Sequence, residues 1–216
     1  MHIPDGLLEA KVWLAADVAA AVIVGICARK VRKDLAERQV PLLGVMGAFV
    51  FAAQMVNFPV LGGTSGHFAG GALVAIALGP AAGVVVMTCV LVLQCLVFQD
   101  GGLTALGANI LNMAVVGCFL GYGAFNLIRR IWGGAGGLTG AGFAAGWISL
   151  VGAATVCGLE LGLSHRFSIL GAVGAMGGVH ALIGIGEGVV TATALNVLAR
   201  VRPELLQGSI VRGEAG

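Results

Sequence analysis

Charge is what this chain most lacks. Lys, Arg, Asp and Glu make up 10% of its 216 residues, while 58% are hydrophobic. An ordinary soluble domain carries about 25% charged residues. A fold of this length could not hide so much apolar surface from water, so a soluble domain and a disordered tail are both excluded. Twelve basic against ten acidic residues leave a net charge of +2, which is no field for nucleic-acid phosphate. No G-x-x-x-x-G-K-[ST] stretch is present, so this chain does not hydrolyse ATP itself. Nor is there a C-x-x-C pair. Cys27, Cys89, Cys95, Cys118 and Cys157 lie in or at the ends of apolar runs and read as small core residues. The start lacks the basic residues of a secretory leader, and Asp5, Glu9 and Asp17 fall where a leader is uncharged. Met1 is therefore expected as the mature N-terminus, kept in place by the bulky His2. The 37 glycines have no G-X-Y period. In so apolar a chain they point to membrane helices packed backbone to backbone.

A membrane helix needs about 20 mostly apolar residues. The clear runs are Leu7–Ala28, Pro41–Val60, Pro80–Phe98, Leu106–Ile128, Leu138–Leu161 and Ile169–Leu198. Leu61–Gly79 is ambiguous between a re-entrant segment and a crossing. Charge decides, because cytoplasmic loops collect Lys and Arg. Arg29, Lys30, Arg32, Lys33 and Arg38 form one cluster, Arg129 and Arg130 a second, Arg200, Arg202 and Arg212 a third. If Leu61–Gly79 crosses, all three clusters fall on one side. The expected fold is an all-α polytopic membrane protein, a bundle of seven transmembrane helices with the N-terminus outside and the C-terminus cytoplasmic. The terminal hexapeptide and the Gly62–His67, Gln99–Thr104 and Glu160–Ser168 loops then open on the external face.

His2 is the sharpest chemical feature. The α-amine of Met1, the amide nitrogen of His2 and its imidazole can close a five-membered and a six-membered chelate ring on one ion. The amide must lose its proton to bind, which Ni²⁺ and Cu²⁺ enforce in square-planar nitrogen fields and Zn²⁺ or Mg²⁺ do poorly. One equatorial position remains, and His67 is the candidate for it. It follows a Gly-rich loop and shares the external face. The plainer alternatives are a loose terminal histidine for His2 and a hydrogen-bonded loop histidine for His67. Pro4 restrains Ile3, and Asp5-Gly6 signals a turn, so the hexapeptide can fold back into the bundle. Asp5 is expected to cap or turn the chain rather than bind metal.

Several stretches together resemble one family. These are M-H-I-P-D-G at Met1–Gly6, S-G-H-F-A-G-G at Ser65–Gly71, L-G-P at Leu78–Pro80, Q-D-G-G at Gln99–Gly102, G-A-N-I-L-N-M at Gly107–Met113 and H-A-L-I-G-I-G-E at His180–Glu187. They are similar to the CbiM/NikM family, the substrate-binding membrane components of energy-coupling factor transporters for cobalt and nickel. The resemblance covers nearly the whole chain. It implies one integral-membrane domain over 1–216, with a metal-chelating segment at 1–6, a helix bundle at 7–200 and a cytoplasmic tail at 201–216. It implies seven helices, a terminus inserted among them, and an ion held by Met1, His2 and His67. It further implies a transporter subunit rather than an enzyme, in a prokaryotic cell (inner) membrane, with Co²⁺ or Ni²⁺ as cargo and no other cofactor. Its partners would be a membrane coupling subunit, two ABC-type ATPases and in some systems a small accessory membrane protein.

The remaining intramembrane polar residues each need a reason, because polar groups are costly there. His180 and Glu187 share a face of the last helix and either line an ion path or hydrogen-bond across helices. Asn109 and Asn112, three apart on one helix face, either support the Met1–His2 backbone or bond between helices. Gln54 and Asn57 pose the same choice. Asp100 caps a turn or draws cations to the entrance. Glu160 and His165 read as surface or loop residues. An intramembrane metalloenzyme built on His67, His180 and Glu187 would need a motif such as H-E-x-x-H, which is missing. A stand-alone metal channel or carrier is the other alternative, and intramembrane charge is sparse for it.

Overall fold

The computed structural model describes residues 1–34, 40–59, 64–165 and 167–206. Arg38, Gly62, Gly63, Arg166 and Arg212, which the sequence reading used, lie outside the described residues. The helices are α1 (Ala10–Asp34), α2 (Val40–Gln54), α3 (Gly71–Leu78), α4 (Pro80–Phe98), α5 (Leu106–Asn109), α6 (Gly117–Ile131), α7 (Gly134–Leu163) and α8 (Ile169–Val201). A π-helical stretch, Ile110–Val116, joins α5 to α6 in one rod. A short antiparallel hairpin pairs β1 (Asn57–Pro59) with β2 (Ser65–His67), setting Asn57 opposite His67.

Among the described residues, five rods are long and apolar enough to cross a bilayer: α1, α4, the α5–α6 rod, α7 and α8. They are mostly apolar on the outside as well. Leu14, Val18, Val22 and Ile26 recur every fourth residue along an exposed strip of α1, as a lipid-facing stripe does. The protein is thus a multi-pass membrane protein.

The stretch that was ambiguous from sequence is short in helix. α3 has eight residues, about 12 Å at 1.5 Å each, against an apolar bilayer core of about 30 Å. Its residues Gly71–Ala77 are all buried. The break at Gly79–Pro80 that follows is half-buried, with Gly79 at φ +86. Contacts locate its ends. Phe51 near the close of α2 packs on Phe98 at the close of α4, with ring centroids 5.2 Å apart. Leu78, Gly79 and Pro80 share a crevice with Lys30 and Asp34 at the close of α1. Between Gln54 and Pro80 the chain thus runs from one end of the bundle to the other, by hairpin and short helix.

α7 and α8 form an antiparallel pair zipped by small residues. A Cβ on Gly146 would meet the Glu187 carbonyl oxygen at 2.9 Å, and one on Gly158 the Ala172 oxygen at 2.9 Å. On the other side, Gly184 faces Trp147 and Gly188 faces Phe143. Past Val201 the chain turns through Pro203–Leu205, and Leu206 is buried.

Candidate metal centre

The terminal segment is packed inside the protein. Met1, His2 and Ile3 are all buried. The Met1 amine donates to the Ser65 carbonyl, and to Ser65 Oγ at 3.1 Å. The His2 N–H donates to the same Oγ at 3.1 Å. Asn109 pairs with Ile3 both ways, accepting its N–H at 2.8 Å and donating to its carbonyl at 3.1 Å. The same carbonyl accepts the Gly102 N–H at 2.8 Å. Asp5 accepts from Leu103 N, Thr104 N and Thr104 Oγ1. Asp5 therefore makes a turn, as its residue type suggested, but it caps the α4–α5 connection and not α1. Gly102 permits this approach, since a Cβ there would overlap the Asp5 backbone nitrogen. The segment's path also meets the end of α7, where the Glu9 N–H donates to Ser164 Oγ at 3.1 Å. Ser65, Gly102 to Thr104 and Ser164, from three of the stretches expected to open on one face, thus all bond to the first nine residues.

The rings of His2 and His67 stack with centroids 4.8 Å apart and planes 26° from parallel. Nδ1 of His67 lies 2.7 Å from the Phe68 carbonyl oxygen. A carbonyl only accepts, so Nδ1 carries the proton and Nε2 presents a lone pair. That Nε2 is buried and has no hydrogen-bond partner, and the same holds for Nε2 of His2. Asp100 Oδ2 stands 3.6 Å from the latter.

Burial shapes the charge of these groups. It pushes the Met1 amine down from 8.0 to about 5, against the opposing pull of Cys157 and Asp100. It pushes the His2 ring from 6.5 to about 3, helped by the neighbouring amine's charge. Burial raises Asp100, which the amine's charge offsets in part. At neutral pH the amine and the ring are thus unprotonated bases, ready to donate electron pairs. Among the described residues, no three His, Cys, Asp or Glu side chains gather closely enough to hold an ion by themselves. The Met1 amine and the His2 backbone N–H lie beside the two rings, both bonded to Ser65.

The other candidates are placed differently. Asn109 holds Ile3, whereas Asn112 donates to Glu160 Oε2 at 2.6 Å. Glu160 corrects the sequence reading: it is buried within α7, not a surface or loop residue, because Asn112 reaches it from the π-helical stretch. His165 is exposed in the turn after α7. His180 and Glu187 do not pair with each other. His180 Nδ1 bonds the Met176 carbonyl of its own helix at 2.8 Å, and its Nε2 is buried without a partner. Glu187 accepts from Ala69 N at 3.0 Å and Gly70 N at 2.7 Å. The residue whose role sequence reasoning missed is Ser65, whose Oγ accepts hydrogen bonds from the Met1 amine and the His2 N–H. Its signal was its place two residues before His67, at the start of the S-G-H-F-A-G-G stretch.

Known proteins resemble this chain over nearly all its length. A family model described as "cobalt uptake substrate-specific transmembrane region" matches residues 2–205. A putative metal transport protein of Haloquadratum walsbyi is 44% identical over 208 residues, covering 95% of this chain and 93% of that one. A putative fused nickel transport protein of Archaeoglobus fulgidus is 41% identical, covering 99% of this chain and 70% of that one. A cobalt transport protein of Sorangium cellulosum is 35% identical, covering 95% and 94%. A crystal structure of a transition metal transporter superposes with a TM-score of 0.88 at 31% identity, covering 98% of this chain and 99% of that one.

Proposed function

This chain belongs to the CbiM family of cobalt and nickel transport proteins, and from that premise we propose that it captures a Co²⁺ or Ni²⁺ ion for uptake as the substrate-binding membrane subunit of an ATP-driven energy-coupling factor transporter. The ion sits on the Met1 amine, the deprotonated His2 amide, the His2 ring and Nε2 of His67. The observation that carries the reading is a buried terminal amine beside two stacked imidazoles, one with its Nε2 lone pair unpartnered. Four nitrogens of this kind suit ions that favour tetragonal fields. Nickel and cobalt share that donor set.

In this reading the N-terminus is external, the C-terminus is cytoplasmic, and the chain crosses a prokaryotic cell membrane seven times. The end-to-end run between Gln54 and Pro80 supports the seventh crossing. Energy comes from partners, namely a membrane coupling subunit and two ABC-type ATPases, with a small accessory membrane protein in some assemblies.

Blocking the terminal amine tests the reading. Protein acetylated on the terminal amine loses tight Ni²⁺ and Co²⁺ binding in isothermal titration, while intact-mass measurement of the native protein finds Met1 first. Unchanged affinity in the blocked protein refutes the chelate.

A further inference from the structure

The turn that carries His67 is gripped from both sides by buried side chains of two distant helices. From α8, both oxygens of the Glu187 carboxylate take backbone N–H groups, Oε2 that of Ala69 and Oε1 that of Gly70. From α2, Gln54 Nε2 donates to the carbonyl of the same Ala69 at 2.7 Å. Gln54 and Glu187 are 1% and 2% exposed. The peptide groups on either side of Ala69 are therefore held between α2 and α8. Packing follows the same two helices. Gly70 has φ +76, and a Cβ there would meet Val50 of α2 at 2.7 Å. Phe68 lies on Gly186 of α8, where a Cβ would sit 2.9 Å from its ring. The His67 ring, in turn, is tied to the Phe68 carbonyl. An unbroken series of contacts thus leads from each of the two helices to the ring.

We propose that Gln54 and Glu187 are positioning residues for the metal ligand His67: together they set where its Nε2 lies relative to the Met1–His2 chelate, so that the spacing between α2 and α8 governs how firmly the ion is held. The proposal rests on the capture reading above and adds what controls its fourth ligand. A polar side chain is costly at this depth. Here two of them meet backbone groups of a single turn, and that turn follows directly on the ligand. Groups that orient a metal ligand typically matter by about 10- to 100-fold in affinity when removed.

The test uses the full chain in detergent, with Ni²⁺ as the probe. Glu187→Gln removes one of two acceptors, and Gln54→Ala removes the donor. The second variant stands in if the first fails to fold. Each is expected to weaken Ni²⁺ binding by about 10- to 100-fold. Each should also convert the four-nitrogen ligand-field absorption into the band given by His67→Ala. In a His67→Ala background the same substitutions should cost nothing further, because the ligand they position is gone. An equal loss in both backgrounds, or an unchanged absorption band in the folded variants, overturns the proposal. A wild-type chain that binds no Ni²⁺, or a His67→Ala chain that binds as tightly as wild type, instead overturns the capture reading.

Discussion

Asn109 closes a two-way amide pairing on Ile3, in a place where neither group can turn to water. Asn109→Ala leaves the Ile3 N–H buried without a partner. Such a group costs about 1–3 kcal/mol, which weakens docking of the terminal segment. The expected outcome is Ni²⁺ affinity lower by about tenfold or more, since about 1.4 kcal/mol is a factor of ten. Hydrogen exchange at the Ile3 amide should accelerate with it; an Ile3 amide as protected as in wild type would refute this role. The titrating groups give a second expectation. Metal and proton compete for the same nitrogen lone pairs, so binding weakens as pH falls. Loss of the amide proton alone makes affinity fall about tenfold per pH unit across the neutral range. The amine adds a second proton only below its buried value of about 5, where the slope steepens to about a hundredfold per unit. A free peptide with its amine at 8.0 steepens from there instead. Titrations from pH 4.5 to 8 separate the two, and a break near 8 in the protein would mean the terminus is not buried.

At the level of elements, α7 and α8 explain part of the glycine content. The small residues at 142, 146, 158 and 162 meet backbone or Cβ atoms of α8 at contact distance, and none of them has room for a side chain. Gly158→Ala would set a methyl 2.8 Å from Val173 Cα, and a helix backbone cannot yield as a flexible side chain would. Overpacking of this kind costs about 1–3 kcal/mol. Gly123 in α6 has nothing within 4 Å of its Cβ position. Thermal unfolding in detergent should therefore show a lowered midpoint for Gly158→Ala and little change for Gly123→Ala. Equal midpoints would remove the zipper from the account. The π-helical stretch is the other element with a consequence. It begins directly after Asn109, which turns to Ile3, and contains Asn112, which turns to Glu160. A regular α-helix sets residues three apart on one face, and the wider π turn lets these two part company. One rod thereby reaches both the terminal segment and α7.

For the whole molecule, the division of labour is the main expectation. Purified chain in proteoliposomes should bind metal yet move none across the bilayer until coupling and ATPase subunits and ATP are supplied. Uptake by the chain alone would establish the stand-alone channel or carrier. Much of the fold is legible in the residues themselves. Scarce charge and long apolar runs determined a multi-pass membrane protein, because the bilayer imposes length and polarity residue by residue. The runs match α1, α2, α4, the α5–α6 rod, α7 and α8 to within a few residues at most ends. The donor set of the proposed chelate can also be read from sequence, since the Met1 amine, the His2 amide and the His2 ring are covalent neighbours whose chemistry travels with the sequence. The remainder was settled only in three dimensions. Leu61–Gly79 is apolar enough for a helix along part of its length, yet a hairpin strand takes residues 65–67 and α3 is short. Ser65 meets Met1 across 64 positions, Asn109 meets Ile3 across 106, and Glu187 meets Ala69 across 118. Periodicity and composition say which face of a helix is buried, but not which distant backbone group a buried Asn, Ser or Glu will satisfy. That choice belongs to packing, because a buried polar atom takes whichever partner the neighbouring helices bring within reach.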